Sequence, residues 1–261
     1  MRHALRNFSS ALVILAALVV FSSRSEAHKP ITSRFTYNAD VFPVFLNRCS
    51  HCHVAGGVGP MSLVTYEDAF PWAESLRAEL LDACDTAERD DADFIKVAHR
   101  GLSARDLDIV LDWAVGGNPE GEGPKPPAVT LKNDWAGARP DLALQPASAF
   151  EVPANLMEIT QEFVLPTRFD RAREISAIDL LPGTPAVVHD ATIAVRTPNA
   201  PPRKLGAWIP RQVPAAIALK PGATLPAGAD IIATIHYRKT WKYEGQAMSD
   251  RSAVGIYFAD K

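Results

Sequence analysis

The run Cys49-Ser50-His51-Cys52-His53 decides how the first half of this 261-residue chain is read. Its two thiols stand three positions apart with an imidazole directly after, which makes it a CxxCH. Thiols at that spacing can add across the two vinyl groups of one heme, and the adjacent His53 then reaches the iron as its proximal ligand. A zinc knuckle would want a second ligand pair at matching spacing, and a redox dithiol a βαβ setting. The sequence offers neither, so covalent heme c on Cys49 and Cys52, with iron on His53, is the expectation.

The N-terminus agrees with that chemistry. Residues 1–27 read as a secretory signal: Arg2, His3 and Arg6 form a basic start, Ala11 to Phe21 is unbroken apolar sequence, and Ser25-Glu26-Ala27 is a small-x-small cleavage site. Eleven apolar residues are too few to span a bilayer, so no stable membrane insertion is expected once the signal is cleaved near His28. No Cys lies near that site to carry a lipid. A periplasmic or secreted protein follows. The chain has a formal charge of −3; Arg2, Arg6 and Arg24 against Glu26 give the leader +2, which leaves −5 for the rest. That balance argues against nucleic acid or an anionic membrane as partner.

Outward from the CxxCH, residues 35–117 read as helical. Tyr66 to about Glu88 has helical apolar spacing, and Ser103 with Asp106 looks like a capping box opening a run that ends at Gly116-Gly117. Leu107, Val110, Leu111 and Ala114 form the apolar face expected of that run. Asn118 to about Ala128 is rich in Gly, Pro and Glu, as an interdomain linker would be. Beyond it, Glu158–Leu165, Ala186–Val195 and Asp230–Tyr237 are β-branched runs. They alternate with turn signals at Leu181-Pro182-Gly183, Lys220-Pro221-Gly222 and Pro226-Ala227-Gly228. The expected layout is multidomain α + β: a small helical heme domain over 28–117, a linker over 118–135, and an antiparallel, jelly-roll-like β-sandwich over 136–261.

The sixth heme ligand has three candidates. Met61 follows His53 by only eight residues and belongs to the proximal loop, so packing against the heme edge suits it better than ligation. His99 lies just before the last helix, where a distal ligand fits, and Cys84 ends the middle helix as either a thiolate ligand or a small buried residue. His51 reads as a solvent-facing spacer.

At this point a resemblance becomes specific. Phe35-Thr36-Tyr37-Asn38, the CxxCH, Gly59-Pro60-Met61-Ser62-Leu63, Thr65-Tyr66-Glu67-Asp68-Ala69, Pro71-Trp72-Ala73 and Leu111-Asp112-Trp113-Ala114-Val115-Gly116-Gly117 together resemble a bacterial cytochrome c domain that is often fused to a second module. The second module is similar to the copper type II ascorbate-dependent monooxygenases, the group of peptidylglycine α-hydroxylating and dopamine β-monooxygenases. That group's first domain holds one copper on a His-His pair and a third His in a His-Tyr strand. Val187-Val188-His189-Asp190 matches the pair with Asp in place of the second His, and Ile235-His236-Tyr237 matches the other motif. The resemblance thus implies copper on His189 and His236, and two imidazoles with a carboxylate or water could hold either copper or zinc, more weakly than the full ligand set would. Asp190 can replace the missing ligand only where the backbone bends, because neighbours on a regular strand face opposite ways.

Two departures limit what the resemblance implies. The Met-Pro-Pro-Trp segment that this cytochrome type tends to carry after its middle helix is absent, and Leu81-Asp82-Ala83-Cys84-Asp85 stands there instead. The sequence ending in Ile256-Tyr257-Phe258 also reaches only to where the first copper domain would finish, so no second, oxygen-activating copper site is read in it. The expected function is periplasmic single-electron transfer to or from a redox protein, with the β domain docking a partner or holding an auxiliary metal. The alternative is a heme-containing component of a copper-dependent oxygenase system, an oxidoreductase that would need another chain.

Overall fold

A computed structural model describes residues 30–86, 102–135, 138–197, 200–211 and 215–259. The leader read at 1–27 lies outside them. Helices fill the first half and strands the second. A π-helical turn at Tyr37–Val41 runs directly into α1 (Phe42–Arg48), whose Pro43 sits in the first turn, where a missing N–H costs nothing. Thr65 starts α2 (Tyr66–Ala69) by accepting the Asp68 backbone N–H at 3.1 Å. A tight turn at Phe70–Trp72 then leads into α3 (Ala73–Thr86). Ser103 and Asp106 form the capping box expected of them at α4 (Ala104–Val115), with bonds of 3.0 and 3.1 Å.

The buried face of α4 is rotated from the one read in the sequence. Ile109, Val110, Trp113 and Ala114 are buried, while Leu107 and Leu111 lie at the edge. The reason is the size of Trp113: its ring takes the centre of the helical core, edge-on to Phe45 at 6.2 Å and 6.1 Å from Tyr37. The Tyr37 hydroxyl crosses the same core to donate to the Leu63 carbonyl at 2.9 Å.

Residues 118–135, read as a linker, form no helix or strand but lie against this core. The Trp113 indole and the Tyr37 backbone N–H both donate to the Pro119 carbonyl, at 3.1 and 2.9 Å, and Val129 and Leu131 cover the core further on. Asn133 then donates to the Pro182 carbonyl of the β-rich half at 2.9 Å.

That half contains β1 (Leu142–Leu144), β2 (Phe150–Val152), β3 (Glu158–Pro166), β4 (Arg173–Leu181), β5 (Val188–Arg196), β6 (Arg203–Trp208), β7 (Ile217–Ala218), β8 (Thr224–Leu225), β9 (Asp230–Arg238), β10 (Met248–Asp250) and β11 (Ala253–Phe258). One antiparallel sheet runs β3-β9-β5-β6, another β1-β11-β4-β7 with β8 also on β4, and β10 pairs with β2. The three runs read as strands are β3, β5 and β9, which lie side by side with β9 central. Alternate residues of β9, namely Ile231, Ala233, Ile235 and Tyr237, enter one apolar core together with Ile178 and Leu180 of β4 and Val254 and Ile256 of β11. The architecture is therefore mixed α + β with a β-rich part made of antiparallel sheets. Among the described residues no helix is long and apolar enough to cross a membrane.

One polar group inside that core is specified closely. The Tyr237 hydroxyl donates at 2.9 Å to Asp250, which is 2 % exposed and also accepts from the Ser252 backbone and hydroxyl. Tyr237→Phe removes one donor from a buried carboxylate, so a loss of about 1–3 kcal/mol is expected, read from the urea midpoint. An unchanged midpoint would show that the remaining donors suffice.

Candidate functional site

The CxxCH lies in a loop closed by its own backbone. Cys49 caps α1 through its N–H to the Phe45 carbonyl at 2.9 Å, and His53 N–H returns to the Cys49 carbonyl at 2.9 Å. Gly59 N–H then donates to the Cys52 carbonyl, and Leu63 N–H to that of His53. Two glycines are required by this closure: a Cβ on Gly57 would stand 2.4 Å from the Cys52 carbonyl oxygen, and one on Gly59 would stand 2.8 Å from that oxygen and 2.9 Å from His53 Nδ1.

The Cys49 and Cys52 thiols are not joined to each other. Burial pushes both up to about 12, helped at Cys49 by the neighbouring Cys52. A redox dithiol depends on a thiol pushed the other way, so this pair is poorly suited to disulfide exchange. Burial also holds His53 below the ordinary imidazole value, against the opposing effect of the Met61 carbonyl 3.1 Å from Nδ1. A neutral ring that donates from Nδ1 to a carbonyl has its lone pair on Nε2, and that nitrogen can bind a metal. The orientation is set by Met61, whose side chain joins the helical core.

Other sequence candidates are placed differently. His51 is half-buried, with its pKa lowered by burial and then by His53, and it lines a cleft rather than facing solvent as a spacer would. His99 and the Cys84 side chain lie outside the described residues.

That cleft is open and is lined both by the CxxCH loop, through His51, Gly57 and Val58, and by the β-rich half, through Asp179, Val188 and Trp208. Val188 begins β5 and precedes the second group of interest. His189, Asp190 and His236 bring one ligand atom each within 4.8 Å of the others. The backbone bend that this needs is present: pairing between β5 and β9 shifts register between Val188 and Asp190, so His189 and Asp190 together oppose His236. A bulge of this two-against-one kind re-aims a side chain. Asp190 Oδ2 is 2.9 Å from His189 Nδ1 and 2.8 Å from His236 Nδ1, and the two rings meet edge-on at 5.1 Å.

Glu158, which the sequence reading missed, completes the group at 2.6 Å from His236 Nε2. It stands two residues before Thr160, the partner of His236 on β3, and so shares the face of His236. Only the strand register reveals it. His236 and Tyr237 therefore divide their work across the sheet, the imidazole outward to the cluster and the phenol inward to the core.

Burial raises the Asp190 pKa, but the hydrogen bonds from His189 and His236 outweigh it and hold the carboxyl below its usual range. An acid depressed in the folded state contributes stability above its unfolded value near about 4, and loses it as pH falls through the lower folded value. The drop in urea midpoint between about pH 5 and about pH 2 is expected to shrink in Asp190→Asn. An unaltered drop would place the acid sensitivity elsewhere.

A comparison with protein-family models finds no match to this chain, and a search of curated proteins finds no similar sequence.

Proposed function

We propose that this protein is an exported, periplasmic c-type cytochrome that passes single electrons to and from another redox protein. In this reading the helical half is the cytochrome domain and the two antiparallel sheets form the sandwich of a copper-monooxygenase-like module that docks the partner. The observation that carries the reading is the 3.1 Å contact between His53 Nδ1 and the Met61 carbonyl beside two unjoined thiols. A metal-ligating His almost always donates its other ring nitrogen in this way, which fixes both tautomer and orientation.

The residues fit heme c by their chemistry. Cys49 and Cys52 would each form one thioether, and His53 Nε2 would hold the iron. When bound, heme supplies an iron that alternates between two oxidation states by one electron. The chain's own part is to keep His53 neutral by burial and aligned through the Met61 carbonyl. His99 is the first choice for the opposite ligand and Cys84 the second.

Stopped-flow mixing of the heme-loaded protein with a small c-type cytochrome tests the electron-carrier reading. Fast, reversible one-electron exchange is expected. Sluggish exchange with every carrier would favour a sensor or scaffold instead. The isolated chain given ascorbate, oxygen and copper is expected to hydroxylate nothing, and ascorbate-dependent product would promote the oxygenase component reading.

A further inference from the structure

We infer that His189, Asp190 and His236 form a binding site for a divalent cation of the zinc class, held by two imidazoles and one carboxylate, and that the site does not support a copper alternating between its cupric and cuprous states. The inference does not rest on the heme reading. It starts from an unusual convergence: the Nδ1 atoms of two histidines on different strands are aimed at one oxygen, Asp190 Oδ2, at 2.9 and 2.8 Å. A bulge in β5 brings the carboxylate to that point.

The surroundings of His236 indicate what the convergence is for. Its two ring nitrogens face two different carboxylates, Asp190 at 2.8 Å and Glu158 at 2.6 Å. A neutral imidazole has one donor and one acceptor, so it can satisfy only one of them. Either a second proton or a metal ion on Nδ1 resolves the conflict. With a metal there, Nε2–H donates to Glu158, which is the carboxylate–histidine–metal arrangement that orients such ligands and raises their basicity. Glu158 is mostly exposed and Asp190 only about a third so. The outer carboxylate is thus the supporting one and the inner carboxylate the ligand.

Spacing and donor type select the ion. Around a tetrahedral zinc with bonds of about 2.0–2.1 Å, neighbouring ligand atoms stand about 3.3 Å apart, so the two contacts of Asp190 Oδ2, at 2.9 and 2.8 Å, need to open by only about half an ångström, and all three ligand atoms already lie within 4.8 Å of one another. Two imidazoles and one carboxylate suit zinc, which several catalytic sites hold in this way, and also suit ferrous iron. Cuprous ion prefers soft sulfur and nitrogen donors. An anionic oxygen in place of a third imidazole favours the more highly charged cupric state and works against cycling. The copper implied for His189 and His236 by resemblance is therefore replaced by a different class of metal.

The test uses the full mature chain, stripped of metal and titrated in parallel with Zn(II) by calorimetry, with Co(II) by visible absorption, and with Cu(I) in competition with a chelator. One Zn(II) per chain is expected, with intense Co(II) ligand-field bands, and tighter retention of Zn(II) than of Cu(I). Asp190→Ala and His236→Ala should each abolish the Co(II) bands while the far-ultraviolet circular dichroism keeps its strand signal. Glu158→Gln should weaken Zn(II) about 10–100-fold. Asp190→His, which supplies a third imidazole, should move the preference toward Cu(I).

The same titrations in a Cys49→Ala/Cys52→Ala chain remove the CxxCH thiols as competing ligands, so failure of the heme reading leaves the outcome unaffected. No Zn(II) uptake in that chain overturns the inference. So does uptake that survives Asp190→Ala, and so does tighter binding of Cu(I) by the wild type.

Discussion

A chain carrying Cys49→Ala together with Cys52→Ala, produced alongside heme-maturation machinery, is expected to show no heme staining after denaturing electrophoresis, whereas the wild type stains strongly. Covalent attachment needs the two thiols at the ends of the same short loop, and here they lie on one loop that turns directly after α1, unjoined to each other. Each single variant keeps one thioether position and should stain weakly. His53→Ala should keep the stain, because the thioethers remain, and should change the absorption spectrum of the iron. Heme that stays with the double variant through denaturation would remove the CxxCH from the account.

The second large effect is structural. Trp113→Ala is expected to cost about 3–5 kcal/mol, the range for removing a buried aromatic ring and leaving a cavity. Trp113 is fully buried among Phe45 and Tyr37, and its indole holds the Pro119 carbonyl at 3.1 Å. The substitution therefore loosens α4, the π-helical turn and the start of the 118–135 segment together. Denaturant unfolding followed by circular dichroism reads the loss. A change under about 1 kcal/mol would mean that the helical core collapses around the gap at little cost.

How far each part could be read in the sequence depended on whether the determining interaction is local. The CxxCH, the Ser103/Asp106 capping box and the three β-branched runs rest on residues a few positions apart, and the described structure contains the capping box and the strands close to where they were read. The buried face of α4 is not legible locally, because Trp113 outweighs Leu107 and Leu111 only once Phe45 and Tyr37 are in place. Residues 118–135 look like a spacer by composition, yet their carbonyls and apolar side chains find partners 50 or more residues away, such as Tyr37 and Asn38. Strands β4, β6 and β11 carry less regular β-branched patterns, and pairing with neighbours rather than local preference decides them.

The His-Asp-His cluster shows the same division. His189 and His236 stand out by residue type, and Asp190 by its place beside His189, where only a bent strand can turn both side chains to one face. The bulge itself follows from the pairing of β5 with β9, and the role of Glu158 from the pairing of β3 with β9. The burial of His51 is hidden from the local sequence for a related reason, since the cleft it lines is also lined by residues more than a hundred positions later.

The central claim is a single heme, held by Cys49, Cys52 and His53, that exchanges one electron. It is tested most directly by intact mass and a potentiometric titration of the same purified, matured chain. The added mass of one heme per chain and a single, reversible one-electron step in the heme absorption bands are expected. A chain recovered from competent maturation machinery without covalent heme, or one whose bands do not respond across the accessible potential range, would contradict it.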